Sequence, residues 1–169
     1  MGEDPGREGL LKTPERVAAA YEFLTSGYRT DIVDVVNDAV FQAEANNMVI
    51  LKNVEVYSLC EHHMLPFFGH CHIGYIPKRK VLGVSKIARI VDCLARRLQI
   101  QERLTAQVAQ EIMDAIDPEG VGVVMECRHL CMIMRGVEKQ ESVMTTSSVL
   151  GSFHNNASTR SEFLTLVGK

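Results

Sequence analysis

Two β-branched runs separated by a short loop constrain the fold of this chain most strongly. The runs cover residues 48–59 and about 67–76, and Pro66 marks the turn between them. Strands joined by so short a connection pair antiparallel, because a parallel pair needs a much longer crossover. The sequence therefore predicts a β-hairpin with the loop after residue 59 at its tip.

This loop carries the sequence CEHH at residues 60–63, which places a thiol, a carboxylate and two imidazoles in four positions. Cys60 and His63 have the spacing at which one loop can bring a thiolate sulfur and an imidazole nitrogen to one zinc ion. His62 then points elsewhere and is free for proton transfer. The motif alone leaves open a second interpretation, a half-buried cysteine beside surface histidines.

The rest of the chain alternates between helical and extended patterns. Thr13-Pro14 predicts the start of a first helix that Gly27 ends, and the capping box at Thr159 predicts the start of a last one. Between them the periodicity predicts helices over about 85–98 and 102–116 and strands over 121–135 and 142–150. We therefore predict an α+β fold: a four-stranded antiparallel sheet with two long helices on one face, an N-terminal helical arm and a C-terminal helix.

Composition limits the class of protein. A length of 169 residues suits one domain, predicted over residues 1–169 with the arm at about 1–27. No apolar run is long enough to cross a bilayer, and no signal-peptide pattern opens the chain, so we expect a cytoplasmic protein that does not enter membranes. A net charge of −3 argues against nucleic acid as a partner, and five cysteines favour thiols or thiolate ligands over disulfides.

A second reactive cluster lies at residues 129–131. In a strand, side chains alternate, so His129, Cys131 and Arg135 would project from one face. Cys60, His63 and Cys131 would then supply three ligands and leave a fourth position open, as in catalytic zinc sites. His62 and His129 would be free to act as general acids or bases. The alternative is an edge strand with a solvent-exposed face.

Two further segments carry groups suited to an anionic or planar ligand. Ser85 is predicted to cap a helix whose first turn contains Lys86, with Arg89 on the same face, an arrangement that suits phosphate. A solvated basic face is the alternative. Glu102, next to Gln101, could accept two parallel N–H donors of guanine, or could simply complement the helix dipole.

Taken together, these stretches resemble the GTP cyclohydrolase I family. The similar segments follow one another over nearly the whole chain, and they are TPERVA at 13–18, CEHH at 60–63, GYIP at 74–77, LGVSKIAR at 82–89, QERLT at 101–105 and HLCMIMRG at 129–136.

The resemblance implies a tunnelling fold that assembles into a homodecamer with active sites where subunits meet. It implies that GTP and water give formate and 7,8-dihydroneopterin triphosphate, the first step of tetrahydrofolate or tetrahydrobiopterin biosynthesis. Zinc held by Cys60, His63 and Cys131 would carry the water that attacks C8 of guanine. A structural-zinc protein, or another tunnelling-fold protein that binds a purine or pterin, is the alternative.

The resemblance also implies roles for individual side chains. His62 and His129 move protons, and Glu102 with Gln101 recognises guanine. The residues implied to bind the triphosphate or ribose are Ser85, Lys86, Arg89 and Arg135, with Arg16 contributed by a neighbouring subunit.

Overall fold

The computed structural model describes residues 2–37, 39–42, 44 and 46–169. Its main elements alternate between helices and strands along the chain. In order they are α1 (Thr13–Leu24), a 3-10 helix (Ser26–Arg29), α2 (Ile32–Val36), β1 (Val40–Gln42), β2 (Val49–Cys60), β3 (Pro66–Ile76), β4 (Lys80–Leu82), α3 (Val84–Ala95), β5 (Leu98–Gln99), α4 (Gln101–Ile116), β6 (Gly120–His129), α5 (Leu130–Ile133), β7 (Met144–Gly151), α6 (Ser152–Asn155) and α7 (Ala157–Val167).

The central sheet has the strand order β5-β2-β3-β6-β7. β2 and β3 pair antiparallel, with Leu59 opposite Pro66, so the predicted hairpin is confirmed and the CEHH loop lies at its tip. β6 and β7 extend the sheet antiparallel. The two-residue β5 pairs parallel with the end of β2, at Leu59 and Cys60, and adds a strand that the sequence pattern does not indicate. β1 and β4 form a separate two-stranded sheet.

The helices α3 and α4 pack on one face of the sheet and form the main core with it. The apolar stripes predicted from helical periodicity are the buried faces of both helices, because residues three and four apart lie on one side. These buried residues are Ile87, Ile90, Val91 and Leu94 of α3, and Leu104, Val108, Ile112 and Ile116 of α4.

A smaller core on the opposite face holds the C-terminal helices α6 and α7. The rings of Phe153 and Phe163 meet edge to face, 5.4 Å apart between centroids. They lie over two paired glycines of β3 and β6, Gly74 and Gly122. A Cβ at Gly122 would lie 2.6 Å from Phe153 Cδ1, and one at Gly74 would lie 2.7 Å from Phe163 Cδ2. Glycine at both positions therefore lets the C-terminal helices approach the sheet closely.

Several element boundaries differ from the prediction. The strand predicted to continue to residue 135 ends at His129, where the chain turns into the short helix α5. The last helix begins at Ala157 rather than Thr159, because the side-chain oxygen of Asn156 accepts the N–H groups of Ser158 and Thr159 and caps the helix.

The N-terminal helix α1 buries none of its residues against the rest of the chain. Val17, part of its predicted apolar stripe, is 45% exposed. The helix ends at Leu24, before the predicted stop, and Gly27 packs against α3, where a Cβ would lie 1.9 Å from the carbonyl oxygen of Cys93. Among the described residues, no helix combines the length and apolar character needed to span a membrane.

Candidate active site

The loop at the hairpin tip brings Cys60 and His63 together with Cys131, and the ligating atoms of the three residues lie within 4.8 Å of one another. Cys60 is the last residue of β2; its N–H donates to Leu65 O, and Met64 N–H donates back to Cys60 O at 2.8 Å. Met64 has a left-handed φ of 53°, which helps to close the loop. In the part of the chain that the structure describes, no other group of His, Cys, Asp or Glu residues is gathered closely enough to hold a metal ion.

Cys131 reaches this group from the first turn of α5, not from a strand. The predicted strand face of His129, Cys131 and Arg135 is therefore wrong, although the three expected ligands do lie together. Burial, reinforced by the neighbouring Cys60 thiol, raises the pKa of Cys131. A bound cation would act in the opposite direction, because the thiolate is the form that coordinates metals.

His129 is half-buried beside Cys60 and Cys131, and two neighbouring side chains hold its ring. Its ring stacks on Phe67, with centroids 4.6 Å apart and planes within 10° of parallel. Its Nε2 lies 2.9 Å from Oε1 of Gln101. The stacking fixes the plane of the imidazole, and the Gln101 contact fixes its rotation within that plane.

The orientation of the Gln101 amide determines which nitrogen of His129 carries a proton. Gln101 is 1% exposed, and its Nε2 lies 3.0 Å from Met125 O and 2.9 Å from Met144 O. Both carbonyl oxygens can only accept, so the NH₂ group faces them and Oε1 faces His129. His129 Nε2 must then donate, which leaves the lone pair of the neutral ring on Nδ1.

The surroundings of His129 act on its pKa in two opposite directions. Burial lowers the pKa of His129, and the nearby carboxylate of Glu102 offsets part of that shift. Glu102 lies exposed in the first turn of α4, directly after Gln101, so the carboxylate and the imidazole share one site. Ile100 precedes the helix and provides no side-chain cap for its N–H groups.

His62 lies exposed in the loop, next to Cys60. Its Nδ1 is 3.9 Å from Cys60 Sγ, and its ring meets His63 edge to face, 6.2 Å apart between centroids. His62 is thus adjacent to two of the expected ligands while remaining open to solvent. This position fits the predicted proton carrier.

The residues expected to bind phosphate are only partly gathered within one chain. Arg135 lies close enough to Cys131 for its charge to act on that thiol. Ser85 lines a cavity of about 510 Å³ between α3 and β2, whereas His129 and Cys131 line a separate cavity of about 460 Å³. The lining residues of the two cavities do not overlap, so a single chain presents two separate parts of the expected site.

The remaining expected phosphate ligands lie on α3 and α1. α3 begins at Val84, with Gly83 as its N-cap and no side-chain cap, so Ser85 lies within the first turn and does not cap the helix as predicted. Lys86 is half-buried and Arg89 is exposed on the same helix, and Arg16 is exposed on α1.

The sequence interpretation missed two features of the site. One is the contact of Gln101 with His129, which joins residues 28 positions apart. The other is an ion pair between Glu61 and Arg103, which joins residues 42 positions apart. Helical or strand periodicity carries no signal for either contact, because each depends on how β-sheet and helix meet in the folded chain.

The other cysteines do not belong to the metal-binding group, although Cys127 lines the same cavity as Cys131. Cys71 and Cys127 are buried in the main core, and burial raises the pKa of Cys127 to about 12 and that of Cys71 further still. Cys93 is buried on α3. These three cysteines are buried residues of the fold.

Comparison with known proteins gives consistent matches along the whole chain. A family model described as GTP cyclohydrolase I matches residues 1–168. A GTP cyclohydrolase 1 from Methylococcus capsulatus is 62% identical, with 100% of this chain and 91% of the relative covered. Proteins of the same name from Leptospira biflexa and Campylobacter jejuni are 60% and 56% identical, with 99% of this chain and 91% and 88% of the relatives covered.

One solved structure shares the architecture at low sequence identity. The crystal structure of the archaeosine synthase QueF-like protein in the apo form aligns with a TM-score of 0.51 at 19% identity, over 64% of this chain and 97% of that one. At this identity the likeness shows the fold alone, and it agrees with the expected tunnelling fold.

Proposed function

The chain belongs to the GTP cyclohydrolase I family, and we propose that Cys60, His63 and Cys131 form the zinc site of this enzyme. The reaction of the family converts GTP and water into formate and 7,8-dihydroneopterin triphosphate. One observation carries the proposal: a compact Cys-His-Cys group lies beside a half-buried histidine, His129, whose ring orientation is fixed.

The donor set fits zinc. Two thiolates and one imidazole are ligands that zinc prefers, and three protein ligands leave a fourth position for water or substrate. When bound, zinc supplies a Lewis acid that lowers the pKa of a coordinated water towards ~7, which suits hydrolytic attack at C8 of guanine.

The two free histidines then move protons. Gln101 holds the proton on Nε2 of His129, so Nδ1 takes up or releases a proton as the imidazole ring of guanine opens. His62, exposed next to Cys60, acts as the second proton carrier during formate release and the ribose rearrangement. A structural metal site would need neither histidine.

Guanine recognition falls to the start of α4. The carboxylate of Glu102 is exposed and accepts the N1–H and N2–H donors of guanine side by side. Gln101 is buried and its side-chain oxygen accepts from His129 Nε2, so Gln101 supports the guanine site indirectly, by orienting that imidazole.

The triphosphate requires the basic groups of more than one subunit. Arg135 lies near the metal-binding group, whereas Ser85, Lys86 and Arg89 lie on α3, where Ser85 lines a separate cavity. We propose that a neighbouring copy brings its α3 or its Arg16 to the site, as a homodecamer would allow.

Two features of the single chain support such assembly. Helix α1 has no buried residue, and among the described residues β5 covers β2 only at Leu59 and Cys60, which leaves most of that strand edge without a strand partner. The described cysteines are free thiols, and two of them are proposed ligands, which favours the reducing cytoplasm as the location. We also propose that residues 1–169 form one catalytic domain with an N-terminal arm at about 1–27.

The decisive experiment follows product formation from GTP. Purified protein is incubated with GTP with and without a chelator; pterin fluorescence is read after oxidation, and formate is measured separately. We expect both products, their loss with the chelator and their return with zinc. Guanosine should be a poor substrate, because it lacks the phosphates that the basic groups bind.

The His129→Ala variant tests the role of the histidine. It should retain zinc and assembly but release no formate. Zinc-loaded protein that binds GTP without forming product would contradict the proposed reaction, and unchanged turnover in His129→Ala would contradict the role of that residue.

A further inference from the structure

Glu61 is the one residue of the CEHH motif without a role in the proposed reaction, yet it makes a specific contact outside the loop. Its Oε2 accepts a hydrogen bond from Nη2 of Arg103, in the first turn of α4. Both side chains are about one-third to two-fifths exposed, at 34% for Glu61 and 41% for Arg103.

Arg103 is held in place independently of Glu61. Its Nε donates to Gln99 Oε1 at 2.9 Å, and its Nη2 donates to Leu98 O at 3.1 Å. Gln99 is 1% exposed, and its Nε2 donates in turn to Leu94 O at 3.0 Å and to Gln107 Oε1 at 2.8 Å. The guanidinium is therefore oriented by a buried network before it meets the carboxylate, which reduces the entropy cost of the ion pair.

Glu61 is attached to the same framework through its main chain. Its N–H donates to Gln99 O at 3.0 Å, and the preceding Cys60 pairs with Gln99 in the parallel ladder. The next three residues of the loop, His62, His63 and Met64, are all exposed. Residue 61 is thus the last point at which the loop is joined to β5 and α4 before the two histidines.

We propose that Glu61 is a positioning residue that, through Arg103, holds the metal-binding loop in register with the first turn of α4. This contact fixes the position of His62 and His63 relative to Glu102, which the proposed function places on the guanine. The expected effect of this contact on catalysis rests on the proposed function. Its expected effect on metal binding does not, because metal binding can be measured without GTP.

The test compares Glu61→Ala, Glu61→Gln, Arg103→Met and the double variant Glu61→Ala/Arg103→Met with the wild type. Lys78→Met is the matched control, because Lys78 forms a 3.0 Å ion pair with Asp117 away from the site. Affinity for Co²⁺ is measured by chelator competition, and the visible spectrum of the bound ion reports its ligand geometry. Turnover of GTP is then measured at saturating zinc.

We expect Glu61→Ala to weaken Co²⁺ binding and to lower kcat by about three- to tenfold each, a smaller loss than for a residue that contacts a ligand directly. Glu61→Gln, which can still accept from Arg103, should recover part of both losses. The losses of Co²⁺ affinity and kcat in the double variant should be no greater than those in the more affected single variant, because both residues act through one contact. Lys78→Met should behave as the wild type.

Three outcomes would overturn the inference. The first is a Glu61→Ala variant with wild-type Co²⁺ affinity, spectrum and kcat, and the second is fully additive losses in the double variant. The third is a lowered thermal midpoint with an unchanged Co²⁺ spectrum and kcat, which would mark a purely structural contact. If the wild type failed to convert GTP while Glu61→Ala still weakened Co²⁺ binding, the proposed function would fall and the positioning role would stand.

Discussion

The contact between Gln101 and His129 leads to the most informative mutation. Replacing Gln101 with methionine keeps the length and nearly the volume of the side chain, so it leaves no large cavity in the core. It removes every side-chain hydrogen bond of the amide, including the bond from His129 Nε2 to Oε1. The variant therefore tests the fixed orientation of His129 without emptying its surroundings.

The loss of stability follows from the contacts of the amide. Nε2 has three acceptors at 2.9 to 3.0 Å, Met125 O, Met144 O and Thr146 Oγ1, but only two hydrogens to give them. With the bond to His129, about three hydrogen bonds are lost, and at about 1 kcal/mol each the free energy of unfolding should fall by about 3 kcal/mol. Denaturant unfolding at a fixed protomer concentration measures this change.

The loss of activity follows from the freed imidazole. His129 keeps its stacking on Phe67 but no longer has its Nε2 proton held, so the proton-transferring nitrogen is not fixed. We expect kcat to fall by about 10- to 100-fold, part of the 10²–10⁴-fold that a positioned acid or base contributes. Zinc content should not change, and KM for GTP should stay within about threefold of the wild type.

Thr146→Val is the matched control. It removes one neighbour of the amide nitrogen but leaves the contact of Gln101 with His129, so it should cost stability while kcat falls by less than about twofold. If Gln101→Met raised KM for GTP with kcat unchanged, the amide would bind guanine and the inferred hold on His129 would be refuted.

Three further predictions concern other parts of the chain. Lys86→Ala should raise KM for GTP by about tenfold or more through loss of a charged phosphate contact, with zinc content unchanged; equal processing of GTP and guanosine by the wild type would contradict this. Gly122→Ala should destabilise the protein by about 1–3 kcal/mol, because its Cβ would lie 2.6 Å from a phenylalanine ring. Gly83→Ala, whose Cβ would have its nearest neighbour at 3.5 Å, should cost at most about 1 kcal/mol, for the loss of a good N-cap residue, and should lower the thermal midpoint less than Gly122→Ala does. Burial and nearby lysines lower the pKa of His72, whose Nδ1 accepts the Asn53 N–H. The protein should therefore lose stability as pH falls below the usual histidine value of about 6.5. His72→Gln keeps an acceptor but does not titrate, so it should flatten this dependence when unfolding is measured at a series of pH values.

The sequence was most informative where the structural cause is local. The hairpin around the CEHH loop follows from β-branched runs and a short connection, and the buried faces of α3 and α4 follow from helical spacing. The identity of the three proposed ligands follows from residue chemistry, since cysteine and histidine are few and are the donors that zinc prefers.

The sequence patterns predicted wrong element boundaries where one segment fits two local structures. The run after His129 contains strand-like residues, yet the chain turns into α5 and presents Cys131 from a helical turn. Thr159 satisfies the capping-box pattern, but Asn156 lies earlier and caps α7 first. In the first case the residues permit two local structures and the fold selects one of them, whereas in the second a local side-chain cap decides.

The amino-acid order alone therefore predicted the main helices and strands, three candidate metal ligands and the histidines proposed to transfer protons. The folded chain decided which of these side chains meet: Cys131 with Cys60 and His63, Gln101 with His129, and Glu61 with Arg103. Propensity and periodicity act over a few neighbouring residues, whereas these contacts join positions 28 or more apart in the chain. They exist only because β2 and β6 end, and α4 begins, at the same end of the sheet.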